Sequence, residues 1–245
     1  MRTEEEIDFD FEIFSIFYSI DRELEYVENT LEFLNQSLNS RFKKLEDDYN
    51  NSYHSLYLED YKSNFYDNYP NKNLPTEIIL KDLNYAQKEE YQIHNTISRY
   101  IIQSILVKQV SIIEKFLKRF YEKNKTILCI KEEKNFSDIK KTINAIKKIT
   151  KINLKELNRN NWCQLRIMNE LRNRFAHGSN EFTISKEILK DLKKEFGTNF
   201  ISEIQNKGNK SLCKIENDFE TLIKFNKNMR NYIKKIENEF KIISK

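Results

Sequence analysis

Glycine and proline are nearly missing from this chain, with three and two in 245 residues. A sandwich or barrel of many strands needs a turn about every 8–12 residues, and the punctuation for it is not there. The expected fold is therefore all-α, built from long uninterrupted helices, with at most one small β-hairpin near the C-terminus. The three cysteines, Cys129, Cys163 and Cys213, are odd in number and lack paired spacing. They exclude a disulfide framework and a cysteine zinc site, and they point to a reducing cytoplasmic setting. No apolar run approaches the ~20 residues of a membrane span, and the acidic start Glu4-Glu5-Glu6 is unlike a signal peptide. No membrane association is expected. No glycine-rich phosphate loop and no His/Asp/Glu spacing for a metal is present, so no cofactor or metal is expected. Cys163 has no histidine in helical register to activate it as a nucleophile.

Charge is plentiful but unevenly placed. Residues 1–60 hold 5 Lys and Arg against 16 Asp and Glu, while residues 61–245 hold 37 against 22. The basic excess is densest over 115–159, with 14 against 5. Such an excess suits a surface for RNA or another polyanion. It equally suits lysines solvating exposed helix faces.

The apolar residues Phe17, Ile20, Leu24, Val27, Leu31, Leu34, Leu38, Phe42 and Leu45 step by threes and fours, a heptad-like seam over some forty residues. Such a helix must pack on another long one, and a hairpin within the chain is favoured over a second protomer. Tyrosines then follow to a loop over 68–75, so that 1–75 reads as an acidic long-helix or hairpin extension and 76–245 as the main helical domain. Thr76 is placed to cap a helix running toward Asn124, with a bend or break expected around Asn84–His94 because fifty residues is long for one helix. Within it Ile97, Ile101, Ile105, Ile112, Phe116 and Phe120 make one apolar row and Ile102, Leu106, Ile113 and Leu117 another, which marks the core. A short strand is expected over Ile127–Ile130, and Ser137 is placed to cap a helix ending near Lys148. Ser185 and Gly197 should bound a further helix, residues 201–205 and 211–215 should form a hairpin, and Asn217 or Asp218 should cap a long closing helix.

Candidate chemistry gathers in Asn169–Gly178. The run from Asn161 is amphipathic through Trp162, Leu165, Met168, Leu171 and Phe175, and Gly178 is placed to end it. At about 100° per residue Asn169, Asn173 and His177 share one polar stripe, whereas Arg172 falls between Met168 and Phe175 on the edge of the buried side. An arginine there needs a carboxylate or a phosphate. Glu114, among Val107, Val110, Leu117 and Tyr121, is a partly desolvated acid that must be protonated or paired. It is placed either to pair with Arg172 or Lys118 and hold helices in register, or to support catalysis.

Arg172, Asn173, three residues, His177 and Gly178 resemble the motif of the HEPN superfamily, in which an arginine, commonly followed by a polar residue, precedes a histidine by four to six positions. The Ile-Ile-Glu-Lys-Phe-Leu run around Glu114 is similar to that superfamily's second helix, and a long closing helix after the motif also fits. The likeness extends over about Ile93 to the C-terminus. It implies a four- or five-helix bundle that dimerises, and a metal-independent endoribonuclease of the toxin or antiviral-defence kind whose site forms where two motif helices meet. In that reading His177 moves protons, Arg172 holds the phosphate, and Asn173 orients His177 or donates to a phosphate oxygen. Arg172 and His177 lie about 140° apart on an ideal helix, so they converge within one protomer only if the helix ends between them. Two other readings stand beside it: a HEPN-like binding or scaffold protein without activity, and a toxin paired with a nucleotidyltransferase antitoxin. In the latter subgroup a tyrosine sits two residues after the histidine, and here Ser179 occupies that place.

Overall fold

The computed structural model describes residues 4–66, 74–127, 139–175 and 181–243. The elements in order are α1 (Glu4–Tyr66), α2 (Leu74–Ile127), α3 (Ile139–Thr150), α4 (Leu154–Leu157), α5 (Arg159–Phe175), β1 (Glu181–Ser185), α6 (Lys186–Phe196), β2 (Ile201–Lys207), β3 (Lys210–Ile215) and α7 (Phe219–Ile243). The fold is mainly helical, as the scarcity of turn residues requires. The expected Ser137 cap and the last three residues of the strand expected over Ile127–Ile130 lie outside the described residues, as do His177 and Gly178, while Ile127 itself ends α2.

The chain forms two compact units, one of Phe33–Tyr100 and the other of Met1–Glu32 with Ile101–Lys245. In the first, α1 and α2 run antiparallel as the arms of a helical hairpin. Tyr49 bonds to Asn84, the Phe42 and Tyr91 rings lie 4.8 Å apart, and His94 Nε2 donates to the Leu38 carbonyl at 3.2 Å. The seam of α1 therefore finds its partner within the chain. It weakens along the helix, however: Leu34 and Leu38 are only half-buried and Phe42 is exposed. One expectation is corrected here. Helix α1 runs on from its seam through the tyrosines to Tyr66, short of the expected loop, but α2 continues through Asn84–His94 without the expected break. No glycine or proline interrupts either stretch, and side-by-side contacts at Tyr49, Phe42 and Leu38 support α2 where an isolated helix would fray.

The second unit holds the main core. Phe17 of α1, Phe116 and Phe120 of α2, and Phe240 of α7 meet with ring centroids 5.4 to 6.0 Å apart. Each such ring removes about 150–250 Å² from water, which makes this cluster a major source of stability. Ile102, Leu106, Ile113 and Leu117 are fully buried, as their spacing predicts, whereas Ile97 in the other row is exposed. A buried amide chain fixes the register of three helices: Gln109 donates to the Leu222 carbonyl at 3.0 Å and to Asn226 Oδ1 at 3.3 Å, and Asn226 donates to the Leu24 carbonyl at 2.7 Å. Arg230 of α7 meets Asp21 at 2.9 Å and Glu28 at 3.2 Å on α1, and the hydrogen bond it donates holds the Asp21 carboxyl below its ordinary range.

The three strands form one antiparallel sheet in the order β1-β3-β2. Hairpin β2–β3 turns on Gly208 and Asn209, with Gly208 at φ 63 where a two-residue turn needs a left-handed residue. Strand β1, absent from the sequence reading, pairs with β3 from Glu181↔Lys214 to Ser185↔Lys210. Ser185 then caps α6, its Oγ accepting from the Ile188 N–H at 3.3 Å, and Gly197 ends that helix at φ 89, ψ −173. Only glycine adopts that conformation without strain. Gly197→Ala should cost about 1 kcal/mol in urea unfolding with an unchanged m-value, because a Cβ there meets nothing and only the backbone is strained.

Candidate active site

Helix α5 buries Leu165, Ile167, Met168, Leu171 and Phe175 and is held from three sides. Asn161 donates to the Asn228 carbonyl, and Asn228 donates to Gln164, both at 2.9 Å, which ties α5 to α7. Arg166 pairs with Asp191 and Gln164 donates to Glu195 at 3.2 Å, which ties it to α6. At its C-terminal end the Phe175 ring meets Phe182 of β1 edge-on at 5.2 Å. The last turn, carrying the arginine of the motif, is thus clamped to the sheet.

Arg172 pairs with Glu114 of α2, and Lys118 approaches the other carboxylate oxygen at 3.0 Å. Both partners expected for Glu114 are present together. The Arg172 and Glu114 side chains are only 18% and 16% exposed. Burial pushes the Glu114 carboxyl up, but the hydrogen bonds from Arg172 and Lys118 outweigh it and hold the group below its ordinary range. The other edge of the guanidinium is occupied as well: Arg172 Nε and Nη2 donate to Asn173 Oδ1 at 3.3 and 3.2 Å. Glu114, Arg172 and Asn173 therefore form one network at the end of α5. Where His177 stands relative to it lies outside the described residues.

On its solvent side the same helix walls a groove of about 960 Å³, with α3 and α4 contributing on one side and α6 on the other. The sequence reading did not anticipate this groove. Its trace is nonetheless there: Arg159, Trp162, Arg166, Asn169 and Asn173 follow each other by threes and fours, which puts them on one face. Asn173 belongs to both the groove and the Arg172 network. Among the described residues no group of three His, Cys, Asp or Glu side chains could hold a metal ion, and no helix is long and apolar enough to cross a membrane.

No family model matches this chain, and no curated protein or solved structure matches it either.

Proposed function

We propose that the protein is a HEPN-like endoribonuclease, a toxin or antiviral-defence effector, that cuts RNA without a metal ion at a site composed from two copies of the motif helix. The observation that carries this reading is the Glu114–Arg172–Asn173 network. It fixes an arginine at the end of α5, one residue from the amide that opens on a polar groove. In the reaction the RNA 2′-oxygen attacks the adjacent phosphorus and the bond to the 5′-oxygen breaks. One His177 imidazole takes the 2′-hydroxyl proton, and the other His177 of the pair supplies a proton to the leaving 5′-oxygen. Arg172 neutralises the charge that gathers on the phosphorus oxygens. Glu114 acts on Arg172, by holding its fork in place, and Asn173 yields its contact to the phosphate. The test is incubation of the purified protein with total RNA, with and without EDTA, beside an Arg172→Ala/His177→Ala variant. Intact RNA with the natural protein under all conditions would sink the proposal.

A homodimer follows from the same reading. Light scattering should give twice the chain mass at micromolar concentration, and a fully active monomer would refute the composite site.

A second reading, a HEPN-like binding or scaffold protein acting with an antitoxin or defence partner, is favoured by one feature. Both edges of the Arg172 guanidinium are already engaged, one by Glu114 and the other by Asn173. Expression in a host that shows no growth defect, together with intact RNA in the assay above, would favour it.

A further inference from the structure

The groove along α5 is built differently from the lysine-covered surfaces elsewhere on the chain. Three acids line it, and each has a partner: Asp191 pairs with Arg166, Glu195 accepts from Gln164, and Glu170 pairs with Arg174 at 2.6 Å. Two of its cations, Arg159 and Lys194, have no acidic partner among the described residues. Lys155 is held by Asn144 at 2.8 Å with its ammonium 5.6 Å from the Trp162 ring centroid. The groove also continues onto a basic helix face. Over α3 the exposed positions are Lys140, Lys141, Asn144, Lys147 and Lys148, with no acidic residue in the whole helix, and Lys140 is itself part of the groove wall.

An unbalanced row of cations would attract any polyanion. Trp162 narrows the choice. It is half-buried in the groove wall, flanked by the guanidiniums of Arg159 and Arg166 one turn to either side, with the amides of Asn169 and Asn173 beyond. Cations that meet phosphates, an indole that meets an unstacked base, and amides that meet base edges are the elements of a single-strand site. An acidic peptide has no use for the indole face, and in a duplex the bases are stacked away from it. From Arg159 to Asn173 the row spans about 21 Å at 1.5 Å per residue, so it engages several nucleotides and delivers the strand to the end of the helix where Arg172 is held.

We propose that the groove lined by Arg159, Trp162, Lys155 and Lys194 is a binding track for single-stranded RNA, with Trp162 as its base-stacking platform and the lysine face of α3 as its outer extension. This rests on the ribonuclease reading for the fate of the RNA, but not for its binding.

Trp162 is the only tryptophan in the chain, so its own fluorescence reports on the site. A single-stranded 2′-O-methyl oligonucleotide, which lacks the attacking hydroxyl, should quench that fluorescence saturably in the full-length protein. The same sequence as a duplex, and polyglutamate of equal charge, should quench far less. Trp162→Leu, followed by anisotropy of a labelled oligonucleotide, should weaken binding about tenfold. Arg159→Gln/Lys194→Gln should reduce the slope of log affinity against log salt by about 1.4, as two lost single-strand phosphate contacts require. Circular dichroism of each variant checks that it is folded, and both changes fall at exposed or half-exposed positions where folding should survive. Polyglutamate quenching as well as RNA, or a folded Trp162→Leu variant that binds with unchanged affinity, would overturn the proposal. Cleavage of natural RNA without any Trp162 quenching would overturn the track while leaving the nuclease reading. Saturable quenching with no cleavage would do the reverse.

Discussion

His177→Ala should slow RNA cleavage by roughly two to four orders of magnitude while leaving the protein folded and dimeric. Imidazole is the one side chain in the motif whose ordinary pKa, about 6.5, lies near neutral pH, so it alone can both accept and return a proton at useful rates. The products should end in a 2′,3′-cyclic or 3′-phosphate on one side and a 5′-hydroxyl on the other, because the attacking oxygen belongs to the RNA. EDTA should leave the rate unchanged. Arg172→Lys should be damaged nearly as badly as His177→Ala, since a point charge cannot hold two phosphate oxygens at once as the planar fork does. End-labelling of the products and single-turnover rates check both points. Products ending in 5′-phosphate and 3′-hydroxyl would mean that water or a metal-bound nucleophile made the cut, and His177 would lose its assigned role.

Breaking the Glu114–Arg172 pair should cost stability as well as activity. Arg172→Ala leaves a largely buried carboxylate with only Lys118 to balance it, and a loss of about 2–3 kcal/mol is expected from denaturant unfolding. Glu114→Gln should cost less, because an amide is cheaper to bury than an unpaired charge. The two changes also separate by pH. The folded protein holds the Glu114 carboxyl below its ordinary value of 4.5. The stability this group contributes is therefore present above that value and is lost as pH falls through the depressed one. Natural protein should destabilise on that acid limb more steeply than Glu114→Gln. If the two limbs superimpose, the pair contributes nothing to stability. If Arg172→Ala unfolds the chain while cleavage per folded molecule is unchanged, Arg172 is a structural partner of Glu114 only.

Both predictions begin from residues that stood out in the sequence, but they stood out for different reasons. Arg172 was conspicuous because helical stepping put a charge at the edge of a buried face, and its need for a partner followed from the cost of desolvation alone. Which partner it takes was not decided there. Glu114 lies 58 residues away in the chain, a phosphate would have answered the need of Arg172 as well, and Lys118 was another candidate partner for Glu114. The groove was harder still to see. Its α5 wall is written in one helix, but the opposite walls come from α3, α4 and α6, and a concave surface exists only once these are packed.

What the sequence determined by itself is what depends on neighbours along the chain. Scarce glycine and proline dictated long helices, the three-and-four spacing of Phe17 to Leu31 dictated a buried seam, and Ser185, Gly197, Gly208 and Asp218 marked ends and turns through local backbone chemistry. Each is a matter of a few consecutive dihedrals or of one helical face, and each was met. Tertiary structure decided the rest. Strand β1 alternates Phe182 and Ile184 inward as a strand should, but five residues do not hold that form alone, and it is a strand because β3 offers it a ladder of hydrogen bonds. Helix α2 runs unbroken through Asn84–His94 because α1 lies against it. His94 donates to the Leu38 carbonyl 56 residues away, a contact that no local pattern marks. Propensity and period act over about one turn, whereas ion pairs, buried amides and grooves depend on which distant surfaces the folded chain brings together.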